Sequence, residues 1–516
     1  MNIAIIGGGL TGLTAAYELT KKGHQVSVFE KSQILGGLAH GFKEKNWLWP
    51  LEFAYHHFFT NDKSLIDLLH ELDMGDNIII KRPITATYIS NSINNTARGN
   101  NFRISHPELS TKTNNNNNNQ RVAEQENYFT LRSFQNEKNI FQLDSPLSLL
   151  QFNQIPIIDR LRTGAMLAFM KLNPFWQPLE GITAEKFVRT LGGEKTWNLI
   201  WEPLMRGKFT DLDTTVAASW FWARIKKRTT NLGYIRGGFQ ALINRLERHI
   251  KTQGGQIYPM SQISQIIPRQ RGLYDLKIET DRTGKQKYDN ESPRSSSGPV
   301  LQQFFNKILL TTPTPIAVKL MSKLTSNNVT PRLSLDSARD RRSGQTMKQF
   351  NNMLSIPHLH AQLLILETDK PILDKIYWLN ISDETFPFLA LVQHTNFIDS
   401  KYYGGRHITY IGNYLPEGHP YLTKSADQLL SLFKPYIQRL SPNSKFKILN
   451  YKLFIGPYAQ PVHQLHYSQK APQLETGIPN IYLANMDSIY PWDRGTNYAV
   501  ELGQKTASRI QSLALI

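Results

Sequence analysis

The spacing of apolar and polar positions changes several times along the chain. Residues 2–6, NIAII, are a short apolar run of strand length. From residue 10 to 22, Leu10, Leu13, Ala16 and Tyr17, with Leu19 close by, recur at helical spacing, and Gly23 ends the run. HQVSVFE, residues 24–30, reads as a second strand. Strand, turn, helix and strand in this order and length predict a βαβ unit. Residues 61–72 predict a capped amphipathic helix, and residues 145–230 are mostly helical and rich in tryptophan. A glycine turn opens a helix over 233–250, and strand-like alternation follows over 254–267. FFNKILLTTPTPI, residues 304–316, is another buried strand stopped by two prolines. Two strand-like runs lie around Tyr403, Gly404 and Gly405, and the chain closes with strand NIYLANM, a loop and helix TNYAVELGQKTASRI.

Three stretches break these patterns. Residues 91–138 are polar and include six consecutive asparagines at 114–119, while 268–300 and 324–352 are rich in Ser, Arg, Gln, Asp and Asn. They are expected to be long exposed loops or disorder.

A length of 516 residues exceeds one ordinary core, so two domains are expected. The formal net charge of +18 favours anionic surroundings, such as acidic lipid or a phosphorylated ligand. No nucleic-acid-binding signature accompanies the charge, so no nucleic-acid partner is expected. The absence of cysteine excludes disulfides, thiolate metal sites, a catalytic thiol and a flavin linked through cysteine. The histidines have no metal-binding spacing, and G-x-S-x-G is absent. The opening apolar run is consumed by a strand and a glycine turn rather than by a secretory signal, and no uninterrupted apolar stretch reaches membrane-spanning length. The expected location is cytoplasmic, with peripheral contact at a membrane face left open.

Gly7, Gly9 and Gly12 form G-x-G-x-x-G between the first strand and the first helix. The first glycine permits a tight turn, the second lets backbone approach a pyrophosphate, and the third lets helix and strand pack closely. The helix start at Leu10 and Thr11 offers free N–H groups to phosphate. Glu30 ends the second strand, where a carboxylate accepts from a ribose 2′-hydroxyl. Lys31 follows it, and Gly36, Gly37 and Leu38 lie a few residues on. This second glycine pair suits a chain that continues along FAD toward its ribityl end, and the same loop leads into LEFAYHHFF.

These residues resemble the flavin amine oxidase superfamily, within it the protoporphyrinogen-oxidase-like and phytoene-desaturase-like branch. Glu30 followed by Gly36-Gly37 is similar to its amino-terminal signature, with Leu38 where an arginine is often found. GYIRGGFQALINRL resembles its second glycine segment at Gly237-Gly238, and KILLTTPTP resembles the returning strand. Ile263 falls where the family places an apolar residue whose backbone contacts adenine. The last strand, loop and helix resemble its carboxy-terminal flavin motif, with Asn485 where many members carry glycine and with Gly495, Thr496 and Asn497 opening the helix. The resemblance implies an α/β fold: an FAD-binding Rossmann-like domain of discontinuous segments (1–75, 231–320 and 476–516) with an α+β substrate domain (76–230 and 321–475).

His56 and His57 are candidates for orienting substrate or moving a proton, or are packed histidines. Asp493 and Arg494 either bind the ribityl chain or substrate, or form a structural ion pair. Lys208 and Tyr403 fall in the presumed substrate domain, where Trp176, Trp201, Trp220 and Trp222 suit an apolar cavity or a plain core. The expected activity is flavin-dependent oxidation or desaturation of an apolar or anionic small molecule by hydride transfer, with dioxygen, a quinone or another oxidant as acceptor. Two alternatives remain: a flavin-dependent non-redox isomerase of the UDP-galactopyranose mutase type, and a flavin-binding protein without turnover.

Overall fold

Along the first strand, Asn2–Ile6, Ile3 and Ile5 pack into one core and Ala4 and Ile6 into another. A strand covered on both faces has no polar side, which is why it reads as an unbroken apolar run. The computed structural model describes residues 1–90, 139–280, 304–326, 346–441 and 445–512. This first strand is the centre of a five-stranded parallel sheet. In spatial order the strands are Gln256–Tyr258, Gln25–Phe29, Asn2–Ile6, Lys307–Leu310 and Ile481–Leu483. Helices Leu10–Lys21, Gly238–Thr252 and Thr496–Ser512 share the core on one face. The hairpin of Ser261–Pro268 and Tyr274–Thr280, with helix Thr314–Ser326, covers the other.

Gly503 lets the last helix cross the first. A Cβ at this position would stand 2.7 Å from the Thr11 carbonyl oxygen. Helix Lys63–Glu71 joins the same layer, and its Leu65 amide donates to Asn497 Oδ1 at 3.0 Å.

A seven-stranded sheet forms the second layer. In spatial order it runs Ile448–Pro461, His358–Thr368, His407–Leu415, Ala390–Gln393, Ile376–Ser382, Ile84–Ile89 and Ile140–Gln142. All neighbours are antiparallel except Ile376–Ser382 with Ile84–Ile89. Leu364 and Leu366 face helix Ala426–Leu440, while Ala361 and Leu363 face a cavity on the opposite side. That cavity is roofed by helices Glu202–Phe209 and Ala218–Lys227, and helix Ile157–Leu172 packs behind them in the same core.

Two of the expected exposed loops are corrected over their described parts. Residues 268–280 carry the turn and second strand of the hairpin, because Tyr274, Leu276 and Ile278 supply an apolar face to the parallel sheet. Residues 324–326 end a helix and 346–352 lie in another, with Phe350 buried in the same core. The asparagine-rich stretch 91–138 lies outside the described residues, as do 281–303 and 327–345. Among the described residues, no helix is long and apolar enough to cross a membrane.

Candidate cofactor and substrate site

The glycine fingerprint sits at the carboxyl edge of the parallel sheet. Gly7 has φ +117°, and a Cβ on Gly12 would stand 2.2 Å from the Gly7 carbonyl oxygen. Neither position tolerates a side chain. Gly9 differs: a Cβ there would meet nothing nearer than the Gly37 Cα at 3.9 Å. The open side of Gly9, beside the free amides that start helix Leu10–Lys21, is the shape a pyrophosphate requires.

Glu30 closes the other side. Its Oε2 accepts the Gly8 amide at 2.7 Å and its Oε1 accepts the Ser32 amide at 2.9 Å. A carboxylate has about four acceptor sites, so two remain for ribose hydroxyls. Lys31 beside it is exposed. The Gly36 amide donates to the Gly8 carbonyl at 2.8 Å, which lays the Gly36-Gly37 loop directly over the fingerprint. The Ser261 amide donates to the Glu30 carbonyl at 2.8 Å, and a bulge follows between Ile263 and Gln265. Ile263 packs into the core that also holds Phe29.

At the second glycine pair, Gly238 has φ +73°, and a Cβ there would stand 2.7 Å from Glu52 Oε1. The Phe239 amide donates to Glu52 Oε1 at 2.6 Å, and the Tyr234 hydroxyl donates to Oε2 at 2.8 Å. A buried internal carboxylate therefore answers this helix start. Burial raises the Glu52 pKa to about 7, against the pull of those two donors.

The carboxy-terminal segment reaches a cavity of about 340 Å³ through Arg494, Gly495, Thr496 and Asn497. Asn485 does not reach it with its side chain. Its Oδ1 accepts the Asp487 amide, and its Nδ2 donates to the Thr312 carbonyl and the Thr314 hydroxyl, so both polar ends are held inside the protein. Its side chain braces the loop between Thr312 and Asp487. Leu38 lines the cavity, so it contributes an apolar surface in place of an arginine contact.

The walls combine aromatic surface with cations. Trp220, Phe221, Tyr377 and Trp378 line the cavity together with Lys208, Arg224, Arg228 and Arg494. Gln460 links the polar groups: Lys208 Nζ donates to its Oε1 at 2.8 Å, Arg494 Nε donates to the same oxygen at 2.7 Å, and its amide donates to Asp493 Oδ1 at 3.2 Å. Arg224 donates to Asp493 Oδ2 at 2.9 Å, and Arg494 donates to the Tyr414 hydroxyl. Burial opposes ionisation of Asp493, but the Lys208 and Arg224 charges hold its pKa down to about 2. Burial lowers Lys208 well below the ordinary lysine range, with Asp493 pulling the other way. Arg494 is lowered by burial to about 10.

His56 and His57 both line this cavity. Nδ1 of His56 lies 2.6 Å from the Ala54 carbonyl oxygen, and Nδ1 of His57 lies 3.1 Å from the Tyr377 hydroxyl. Burial lowers their pKa values to about 4 and about 3. Near neutral pH both rings are therefore uncharged. Tyr403 is elsewhere: its ring packs edge-on against Trp47 and its hydroxyl lies 2.7 Å from His394 Nε2, in the core.

Arg224, Arg228 and Gln460 belong to the site but were not legible as such. The two arginines, four residues apart in WFWARIKKR, fall on one helix-end face, which is a weak signal. Nothing in the sequence marks Gln460. Among the described residues, no cluster of His, Asp and Glu could hold a metal ion.

A parallel sheet with a glycine cradle at its edge, backed by a second sheet across an aromatic cavity, defines a dinucleotide-binding enzyme of two layers. The chain belongs to the flavin-containing amine oxidoreductase family, whose model matches residues 10–511. Membership makes FAD the cofactor.

The chain is similar to the zeta-carotene desaturase of Capsicum annuum, 31% identical over 90 residues, which are 17% of this chain and 15% of that protein. It is 45% identical over 51 residues, 10% of each chain, to the 4,4'-diapophytoene desaturase of Staphylococcus haemolyticus. The chain thus spans only a small fraction of the length of the curated relatives it matches. In fold it is similar to a protoporphyrinogen oxidase-like protein of Exiguobacterium sp. 255-15, with TM-score 0.63 and 14% identity, covering 100% of this chain and 98% of that one. A reduced UDP-galactopyranose mutase gives TM-score 0.63 at 13% identity over 100% of this chain and 96% of that one.

Proposed function

We propose that the Gly7–Gly12 cradle, Glu30, Gly36-Gly37, the backbone at Ile263 and the Gly495–Asn497 turn hold FAD. We further propose that the protein oxidises or desaturates an apolar small molecule bearing an anionic group. The observation that carries this reading is the cavity itself. It is lined by the helix start of Gly495–Asn497, by aromatic walls and by Lys208, Arg224 and Arg228. The flavin, when bound, supplies a two-electron acceptor for hydride.

The residues of the chain then do the following. Trp220, Phe221 and Trp378 exclude water and hold the apolar body of the substrate. Arg224 and Arg228 attract its anionic end. The helix start at Thr496 stabilises negative charge on the cofactor side. Lys208 Nζ, donating to Gln460 Oε1 beside Arg494, orients the polar end of the site. His56 and His57, uncharged, orient groups rather than titrate. Reoxidation by dioxygen, a quinone or another oxidant and peripheral contact with a membrane face complete the reading.

A second reading draws on the same cations. A cavity lined by Arg224, Arg228 and Arg494 beside two neutral histidines also fits a nucleoside diphosphate, as a flavin-dependent isomerase of the UDP-galactopyranose mutase type requires. The purified protein separates the two readings. Under the first, its flavin bands bleach when an apolar donor is added without air and return with an oxidant. Under the second, turnover needs reduced flavin and consumes no oxidant. Flavin that no apolar donor bleaches overturns the first reading.

A further inference from the structure

Helix Ile157–Leu172 carries its apolar stripe on the wrong side for a soluble surface. Thr163, Met166 and Met170 are buried, yet Ile158, Leu161 and Leu172 are 67%, 58% and 79% exposed. With Ala165 and Phe169 between them they form a continuous row at helical spacing. Leu147, on the neighbouring helix Pro146–Gln151, and Phe175 extend the patch at its two ends and are 63% and 64% exposed. A contiguous apolar patch of this kind marks an interaction surface.

The charge at its carboxyl end has one sign, while Asp159 near its start is paired with Arg162. Residues 160–179 and 214–246 contain no Asp or Glu, while Lys171, Lys226, Lys227 and Arg228 gather at the carboxyl end of the stripe. The stripe is also stapled to the cavity rim. Lys171 Nζ donates to the carbonyls of Lys226 at 3.0 Å and Arg228 at 2.7 Å, and Lys226 Nζ donates back to the Lys171 carbonyl at 2.8 Å. Ile225 and Arg228 line the cavity, and so does Asp144, two residues before helix Pro146–Gln151.

We infer that this face docks on an anionic lipid surface, with the exposed stripe of helix Ile157–Leu172 set into the headgroup boundary and the lysine-rich rim against lipid phosphates. Docked this way, the membrane lies at the cavity mouth, and an apolar substrate passes between the two without crossing water. The inference rests on the reading that the cavity takes an apolar substrate, and a second copy of the chain is the competing occupant of the patch.

The test is sedimentation of the flavin-loaded full chain with vesicles of equal parts phosphatidylcholine and phosphatidylglycerol, and with phosphatidylcholine alone. The expected result is binding to the mixed vesicles that weakens with salt, and a loss of about tenfold or more in the Leu161→Asp/Leu172→Asp double variant. Both side chains face solvent, so flavin absorbance and thermal midpoint stay those of the parent. Three results overturn docking: a parent that ignores the mixed vesicles, a double variant that binds as well as the parent, or a parent dimer that the double variant splits while vesicle binding is absent throughout. A colourless protein that still binds vesicles overturns the flavin reading alone. A yellow one that does not bind overturns docking alone.

Discussion

Glu30 and Gly8 are joined by a hydrogen bond of 2.7 Å, from the glycine amide to a carboxylate oxygen that is itself buried. The residue placed to recognise ribose thus also fixes the phosphate turn, so cofactor affinity and local stability depend on one side chain. Hydrogen bonds to a charged group contribute about 1.5–3 kcal/mol each. Glu30→Ala is expected to lower the stability of the flavin-free protein by about 3 kcal/mol and to abolish flavin retention through gel filtration. An apoprotein with the parent's unfolding midpoint refutes the structural half of this statement.

Two glycines of one motif are expected to respond in opposite ways. A methyl at Gly12 meets the Gly7 carbonyl, so Gly12→Ala costs about 3 kcal/mol or more in folding. A methyl at Gly9 meets open space, so Gly9→Ala folds within about 0.5 kcal/mol of the parent and fails instead in binding, with flavin Kd raised about tenfold. Denaturant titration of both apoproteins, followed by flavin titration, separates the two effects.

Glu52 makes stability fall as pH rises. Its folded pKa of about 7 lies above its ordinary value of 4.5, so the folded chain keeps a proton in that window that the unfolded chain releases. Stabilisation present below about 4.5 is lost through about 7, by on the order of 3 kcal/mol. Glu52→Gln keeps the shape without the charge. It is expected to melt higher than the parent above neutral pH and to match it in acid, and equal melting curves across the range count against the assignment.

The buried histidines act with the opposite sign. His56 and His57 have folded pKa values of about 4 and about 3, below the ordinary 6.5, so the unfolded chain binds protons that the folded chain refuses. Stability is intact above about 6.5 and falls as the solution becomes more acid than that. His57→Gln should flatten this acid limb. It should also leave the pH profile of kcat/KM without a lost inflection near neutrality, since the neutral ring has none to contribute.

The amino-terminal unit was legible because one segment holds its whole logic. Gly7, Gly9, Gly12 and Glu30 fall in a single βαβ stretch whose periodicity and turn chemistry agree. The second sheet was far less legible. His358–Thr368 and Ile448–Pro461 pair across a separation of many residues, and short-range alternation carries no sign of that partner. Helix Ala426–Leu440 was hidden by Pro435, which is tolerated because it sits on the exposed face while Phe433 and Ile437 keep the core contact. The cavity was legible in part: His56, His57, Lys208, Trp201, Trp220 and Arg494 stood out in the sequence and line it, whereas Arg224 and Arg228 did not. The internal partners of Asn485, Thr312 and Thr314, come from a distant strand end and could not be read from its own segment.

The order in which the parallel sheet is assembled bears on how the protein is made. The fingerprint is synthesised well before the segments that wall it: Gly7 rests against Thr311, the sheet edge is Ile481–Leu483, and the helix bearing Gly503 seats on Thr11. At elongation rates of about 5–20 residues per second, the nascent glycine cradle waits roughly half a minute to a minute and a half for its remaining walls. During that interval Ile3, Ile5 and Leu13 have no complete core to enter. Flavin loading is therefore expected to follow synthesis of helix Thr496–Ser512 rather than of the fingerprint itself.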